Sequence, residues 1–591
     1  MKNLNKNFYS NFNIFFHYMI KKYFNEIDLR YKKKILLHLI KAHKLVIFYV
    51  YVIFFISNAY SLAFFRKKIK YLKISELEKI LDFLKKIKFL EIQKFLDLFH
   101  AICTIHIDSN EKIKKITHKN KFDENFIENI VIGSGPAGSI TASEILKKNI
   151  DVLIIEKGNW VEHFKLKHPG SELMSKWANG GLAGALGNVK IQYASANCFG
   201  GGSEINSGLY HEADKNFLEE WSKKFNTKNL NKVELDKYFQ STKKETNVIY
   251  QNKVDELSKL ILDGSKKNNW KIEEIPRWVS YNENILQKKS MTKTYLKNYL
   301  DNNGKIMLNT YVENIKKSKN YWLLTLNRQN KKKIIKCKNI FLCCGSIENI
   351  FLLKKSGLIK KKSEFFFHPM IKVIGKFPKK INYKNSEIST QQVTQFFPRF
   401  ILGNAASGLQ FLKISSLNDQ NLYKKIKYDW EFMSIFHATF SLGKGAVYNF
   451  PFIKDPLVSY EINNKELDNI KDGLDKLCKL LFDSGCEYVF PIIKESSILN
   501  KNNYTTFIDK IKNIKQFNFS SVHILGGFPM GEDEKCLVNS YGKFFSEKNL
   551  YINDSSLICN KLVKNPQGTV MAIAHRNVKN FLKTYAINEK N

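Results

Sequence analysis

The spacing of apolar positions changes several times along this chain. Between residues 45 and 65 there is no alternation: LVIFYVYVIFFISNAYSLAFF holds no charge, and its 21 residues suit a helix crossing a hydrocarbon layer of about 30 Å. Lys41 and Lys44 precede the run, and Arg66, Lys67 and Lys68 follow it. Cations on both sides leave the orientation open. Ser57 and Asn58 inside the run keep a buried or interfacial helix in play beside a membrane span. From Ile74 to Ile107 the apolar residues recur at helical spacing, as in Leu77, Ile80, Leu81, Leu84 and then Leu90, Phe95, Leu98, Phe99. Residues 1–125 therefore read as a basic helical appendage ending in a polar linker, Ser109 to Asn125.

The pattern then switches. Ile130, Val131 and Ile132 predict a short buried strand, followed by Gly133, Gly135 and Gly138 and a helical stretch through Lys148. A second strand, Val152 to Ile155, ends at Glu156. This is a βαβ opening. The middle, from about 214 to 520, mixes strands and helices without a strong period. The first pattern returns at Asn339 to Gly345, and the last 70 or so residues place glycine, proline and small residues at turns.

Composition narrows this picture. With 591 residues and a hydrophobic fraction of 44%, the chain has enough material for more than one core. The net charge is +40, but the lysines form no single stripe and no nucleic-acid module accompanies them, so nucleic acid is not expected as a partner. The nine cysteines include no pair at the two-residue gap of a zinc knuckle or redox dithiol. No metal site and no disulfide framework are expected, and the compartment is a reducing one.

The glycine turn carries the first chemistry. It follows a strand, opens a helix, and has an acid at the end of the next strand. Gly133 permits the tight turn, Gly135 lets a pyrophosphate approach the backbone, and Gly138 lets helix and strand pack closely. The helix N-terminus offers N–H groups to phosphate. Glu156 stands where a carboxylate accepts from ribose hydroxyls and would repel a 2′-phosphate, which leaves FAD or NAD.

Three further segments resemble the glucose–methanol–choline (GMC) oxidoreductases. NCFGGGSEINSGLY, Asn197 to Tyr210, matches the family's glycine-rich run ending in asparagine, with Gly201, Gly202, Ser203 and Asn206 in register. NIFLCCGSIENIFLLKKSG, Asn339 to Gly357, resembles the second segment, in which a strand ends at Gly345; Asn349, Ile350 and Ile359 depart from its usual residues. Just upstream, Val312 stands where a valine backbone meets adenine in the family. HILGGFPMG, NLYINDSS and NPQGTVMAIAHR match the C-terminal pattern through His523, Gly526, Met530, Asp554, Ser555, Asn565, Pro566 and Thr569. GGLAGALGN and GGGSEINSGLYH are closer to the long-chain-alcohol oxidase branch than to the sugar branch.

The resemblance implies an α/β fold: a Rossmann-like FAD-binding domain, a discontinuous α+β substrate domain and the N-terminal helical extension. The FAD-binding parts would be 126–213, 291–370 and 520–591, and the substrate parts 214–290 and 371–519. It implies oxidation of an alcohol CH–OH group, with His523 taking the hydroxyl proton and Asn565 holding the oxygen. A neutral imidazole, with an ordinary pKa of about 6.5, suits the first task. His211, His368 and His575 read as structural. FAD would be non-covalent, because Ile205 occupies the position of the histidine that carries flavin in some relatives. Asp554 would face the ribityl or pyrophosphate part.

The uncharged run and the branch resemblance together favour a lipophilic alcohol, long-chain or sterol, and a membrane-associated enzyme with its flavin domain on the cytoplasmic side. Trp270, Trp278, Phe365 to Phe367, Phe396, Phe397 and Phe400 are candidates for an apolar pocket. Electrons would go to oxygen or to a quinone or cytochrome. Three alternatives stand beside this reading: a membrane-tethered flavin-binding protein without alcohol oxidation, a choline- or sugar-type dehydrogenase of the same family, and a nicotinamide-dependent dehydrogenase. The last leaves the segments 197–210 and 520–570 unexplained.

Overall fold

The structure, a computed structural model, describes residues 6–24, 30–87, 91–107, 115–116, 125–161, 168–251, 254–282, 285–360, 363–383, 388–451, 453–558 and 562–588. Most of the expected linker, Ser109 to Asn125, lies outside them. The chain divides into two compact units: Met1–Ile113 with His163–Ala183 and Leu409–Tyr428, and Lys114–Glu162 with Gly184–Gly408 and Asp429–Asn591.

The first unit is built on helices α1 (Lys6–Tyr23), α2 (Arg30–Lys41), α3 (Lys44–Phe65), α4 (Ile74–Lys86) and α5 (Ile92–His106). Their apolar stripes meet in an aromatic core around Phe12, Phe15, Phe54, Phe95 and Phe99. α3 is the uncharged run, and it is two-faced in spite of its composition. Val50, Ile53, Phe54, Ser57 and Ser61 are buried. Ser57 Oγ donates to Ile53 O (2.7 Å) and Asn58 Nδ2 to Phe54 O (3.0 Å), which satisfies the polar groups inside the helix. Phe48, Tyr51, Phe55 and Leu62 lie exposed at helical spacing on the other side. Lys44 stands at one end of that stripe, and Arg66, Lys67, Lys68 and Lys70 at the other.

The second unit holds two large sheets. In the first, the strands run in the order Lys305–Met307, Val152–Ile155, Phe126–Ile132, Lys331–Leu342, Tyr321–Arg328 and Tyr311–Ser318, with the first four parallel. The last strand of the chain, Leu550–Ile552, pairs parallel with Lys331–Leu342 near the centre. Helix α6 (Pro136–Leu146) makes the first crossover, with proline in its first turn where no N–H is needed. The glycine turn thus lies at the carboxyl ends of the parallel strands, where open α/β sheets bind ligands.

The second sheet runs Gly184–Ala185, Lys190–Tyr193, Asn518–Ser521, Met370–Lys376, Met433–Phe440, Phe400–Ala405, Gln391–Val393 and Ile272–Glu274, and Tyr488–Pro491 also pairs with Met370–Lys376. Helix Leu467–Asp483 covers one face, its Gly473 set against Phe440 and Ala438. Residues of alternate parity, including Lys372 and His437, point to the other face.

Candidate active site

Gly133 adopts φ +102°, and a Cβ there would come 2.4 Å from Cys343 O. A Cβ on Gly138 would come 2.0 Å from Gly133 O. The turn therefore accepts no side chain at either position. Glu156 is buried beneath it. Its carboxylate accepts from Ser134 N (3.0 Å), Ser134 Oγ (2.7 Å) and Gly158 N (2.6 Å). Burial raises its pKa and these donors oppose the shift.

The glycine-rich loop closes onto the same turn. Gly200 N donates to Ser134 Oγ (3.0 Å). A Cβ on Gly201 would come 2.7 Å from Gly135 Cα, whereas one on Gly202 would meet nothing within 4 Å. Ser203 Oγ donates to Gly200 O (2.7 Å) and accepts from Met291 N (3.1 Å), fixing the loop from behind. Asn206 Nδ2 reaches Gln567 Oε1 at 3.3 Å, which ties this loop to the start of the C-terminal helix Gln567–Asn588.

The second segment joins through Asp554. Its carboxylate accepts from Gly345 N (2.6 Å), Asn349 Nδ2 (2.9 Å) and Ser556 N (2.8 Å). Burial raises the Asp554 pKa against these bonds. Asn349 also donates to Ser556 Oγ (2.8 Å) and accepts from Cys344 N (3.3 Å). The residue that departs from the family pattern is thus the knot of the turn. Asn553 Nδ2 donates to Thr141 Oγ1 (2.9 Å) on α6. A Cβ on Gly345 would meet nothing within 4 Å. Ser555 lies in the short turn after Asp554, Pro566 precedes the C-terminal helix, Thr569 is buried in its first turn, and Val312 is buried beside a bulge in its strand.

His523 and Asn565 come together. Asn565 Nδ2 lies 3.4 Å from His523 Nε2, and His523 Nδ1 lies 3.0 Å from His368 Nδ1. Burial lowers the His523 pKa to about 4, so the ring is neutral near pH 7. Buried His368 is also pushed well below its ordinary value, by desolvation and by its neighbour His523. Gln392 Nε2 reaches Asn565 Oδ1 at 3.5 Å from the second sheet.

His368 thus lies on the ring it was not expected to touch. Its place before a proline at a strand end was the only hint. Gln392 carried no signal for this position, and Asn349 stood out only as a departure from the resembled segment. Of the aromatic candidates for an apolar pocket, Phe366 lines a cavity of about 870 Å³ beside Gly526 and Ile558, and most others are placed in packing. Trp278, Phe365, Phe367 and Phe400 are fully buried in packing, and Phe396 lies edge-on to Trp270. Composition alone cannot separate a pocket wall from a core.

The site fits a flavin dinucleotide on two counts. Gly202 and Gly345 present bare backbone to open space. His368 Nε2, Gln392 Oε1, Thr569 Oγ1 and both ring nitrogens of His211 are buried without a hydrogen-bond partner, as atoms awaiting a bound molecule would be. Among the described residues no group of three or more His, Cys, Asp or Glu is placed to hold a metal ion.

Comparison with known proteins agrees. The N-terminal and C-terminal models of the GMC oxidoreductase family match residues 173–377 and 454–574, together more than half of the chain. An uncharacterized GMC-type oxidoreductase of Sinorhizobium fredii is 26% identical over 76% of this chain and 93% of its own. A long-chain-alcohol oxidase of Arabidopsis thaliana is 23% identical over 76% of this chain and 66% of its own. Pyridoxine 4-oxidase from Mesorbium loti shares the fold, with a TM-score of 0.59 and 13% identity over 77% of this chain and 99% of its own. So does an FAD-dependent oxidoreductase from Chaetomium thermophilum, with a TM-score of 0.59 and 14% identity over 78% of this chain and all of its own.

Proposed function

With this chain a member of the GMC oxidoreductase family, and so an FAD-dependent oxidoreductase acting on alcohol-type donors, we propose that it oxidises the CH–OH carbon of a substrate held between His523 and Asn565. The observation that carries the reading is the 3.4 Å approach of Asn565 Nδ2 to His523 Nε2, on a face where buried polar atoms lack partners. FAD, when bound, supplies the acceptor for the hydride. The neutral His523 ring takes the hydroxyl proton at Nε2. Asn565 donates its amide N–H to the developing alkoxide and fixes the direction of the carbon hydrogen. His368 orients the His523 ring through Nδ1, and so selects which nitrogen faces the substrate.

The cofactor would rest on Gly133, Gly135 and Gly138, with Glu156 at the ribose and the Val312 backbone at the adenine. Gly201, Gly202, Ser203 and Asn206 would back the ring. Asp554 acts through the Gly345 turn that it holds, and Ser555, Pro566 and Thr569 complete the wall. Ile205 offers no nucleophile, so FAD is held non-covalently and comes free on acid precipitation.

A lipophilic alcohol is supported by what the plant relatives are named for and by α3. That helix packs one face inside its unit, and its neighbour α4 exposes Glu78, Lys79, Asp82, Lys85 and Lys86. A span would drag those charges into hydrocarbon. Docking in the plane of an anionic leaflet, aromatic stripe inward and end cations on the headgroups, fits both.

The test is anaerobic reduction of the purified yellow protein by alcohols. His523→Ala lowers the reduction rate about 10²–10⁴-fold while FAD stays bound. Bound FAD that no alcohol reduces would overturn the proposal.

A further inference from the structure

The face of the second sheet turned toward His523 carries a transverse polar row. Lys372 pairs directly with His437, His437 with Gly403, and Gln392 with Glu273. Gly403 joins the two ends: a Cβ there would come 3.3 Å from His437 Nε2 and 3.6 Å from Gln392 Cγ. Directly paired residues share a face. Gln392, Gly403, His437 and Lys372 therefore stand side by side on adjacent strands. Gln392 anchors the row to the site through Asn565 (3.5 Å), and His437 lies near enough to lower its pKa partly through His523.

Two features of the row await a ligand. One end of the buried Gln392 amide has no partner. Lys372 is half-buried, and among the described residues its amine makes no hydrogen bond or ion pair. Burial alone draws its amine down to about 8, with no carboxylate opposing the shift. It remains mostly protonated at neutral pH. The acid at the far end, Glu273, is already paired with Lys564 at 2.8 Å and repels nothing. His437, held near 3 by burial, is neutral, and its Nδ1 is engaged with Thr439 Oγ1 at 2.9 Å. The row thus offers a single cation flanked by neutral polar side chains, with the His437 ring and the Gln392 stem packed over Gly403.

We infer that the alcohol carries a carboxylate several bonds from its carbinol carbon, and that Lys372 binds this group while Gln392 and His437 flank the intervening chain. This rests on the alcohol-oxidising reading and deepens it. One cation matches a monoanion better than a phosphate dianion. An amphiphilic hydroxy acid satisfies both this row and a lipid-docked enzyme.

The experiment compares ω-hydroxyalkanoates with 1-alkanols of equal carbon number, using the full-length flavoprotein in anaerobic stopped flow. The hydroxy acids are expected to show kcat/KM at least tenfold above the matched alkanols, with a chain-length optimum. Lys372→Met is expected to erase that ratio, and Lys372→Arg to keep most of it. Saturated carboxylates without a hydroxyl should perturb the flavin absorbance of the wild-type protein and not that of Lys372→Met. A wild-type ratio near one, or a ratio unchanged in Lys372→Met, overturns the inference and leaves alcohol oxidation standing. Failure of every alcohol, charged or neutral, would sink the parent reading instead.

Discussion

Two side chains decide how the site responds to substitution and to pH. Asn349 touches Cys344, Asp554 and Ser556. Removing its amide leaves the buried Asp554 carboxylate short of a donor, at a cost of about 1–3 kcal/mol. Asn349→Ala is therefore expected to lower the urea midpoint and to loosen flavin retention, while Asn349→Asp, which adds a second acid against Asp554, does more damage. On the proposed mechanism, His523 sets the pH profile. Because burial holds its pKa near 4, the ring is free of the added proton across the neutral range. Flavin reduction should be level from pH 8 to 6 and should fall only below about 5, as the ring takes up the proton it must otherwise receive from substrate. A profile breaking near 6.5 would mean a ring that is not desolvated. At this scale the sequence was readable where residues sit in motifs. The pairing of His523 with Asn565 over a gap of 42 residues followed from pattern. Asn349 drew attention only as a departure, because a substitution inside a motif does not announce the bonds it makes.

At the scale of elements, the βαβ opening was legible almost to the residue. Val152–Ile155 ends where Glu156 was expected, and the helix begins at the proline after Gly135. Strand–turn–helix units write themselves locally, through glycine, proline and a change of period. Gly138→Val would drive its Cβ to 2.0 Å from Gly133 O, and so should part α6 from its strand and give colourless protein. The second sheet was not legible. Its row of Gln392, Gly403, His437 and Lys372 joins four strands whose order in the sheet is not their order in the chain, so only the pairing register brings them together. The long apolar run was legible as a helix but not as a two-faced one, because its buried and exposed positions are equally hydrophobic. Phe48→Glu with Phe55→Glu should cut cosedimentation with anionic vesicles at least tenfold, since each buried Phe is worth about 1.5–3 kcal/mol. Vesicles of purely zwitterionic lipid should bind the unaltered protein far less.

Over the whole molecule, the histidines make a common response to acid. His38, His100 and His106 in one unit and His211, His437 and His523 in the other are all lowered by burial, to between about 3 and about 4. Each is neutral when folded and has its ordinary pKa near 6.5 when unfolded. Below pH 6.5 the unfolded chain takes up protons that the folded chain refuses, so stability drops by up to ~1.4 kcal/mol per pH unit for each group until its folded pKa is passed. Glu156 and Asp554, raised by burial, work in the opposite sense but are fewer. The melting temperature followed by circular dichroism should therefore fall steeply between pH 6.5 and 5.

The placement of Leu550–Ile552 against Lys331–Leu342 also fixes an order of events in biosynthesis. A ribosome makes the chain from its amino end, so the glycine turn of Gly133 to Gly138 is made long before this last strand. The dinucleotide cradle, although its first glycines emerge early, stays open-sided until Leu550–Ile552 has been made and has paired. Firm cofactor retention is accordingly expected only after that pairing, and a product cut off before Leu550 should be colourless.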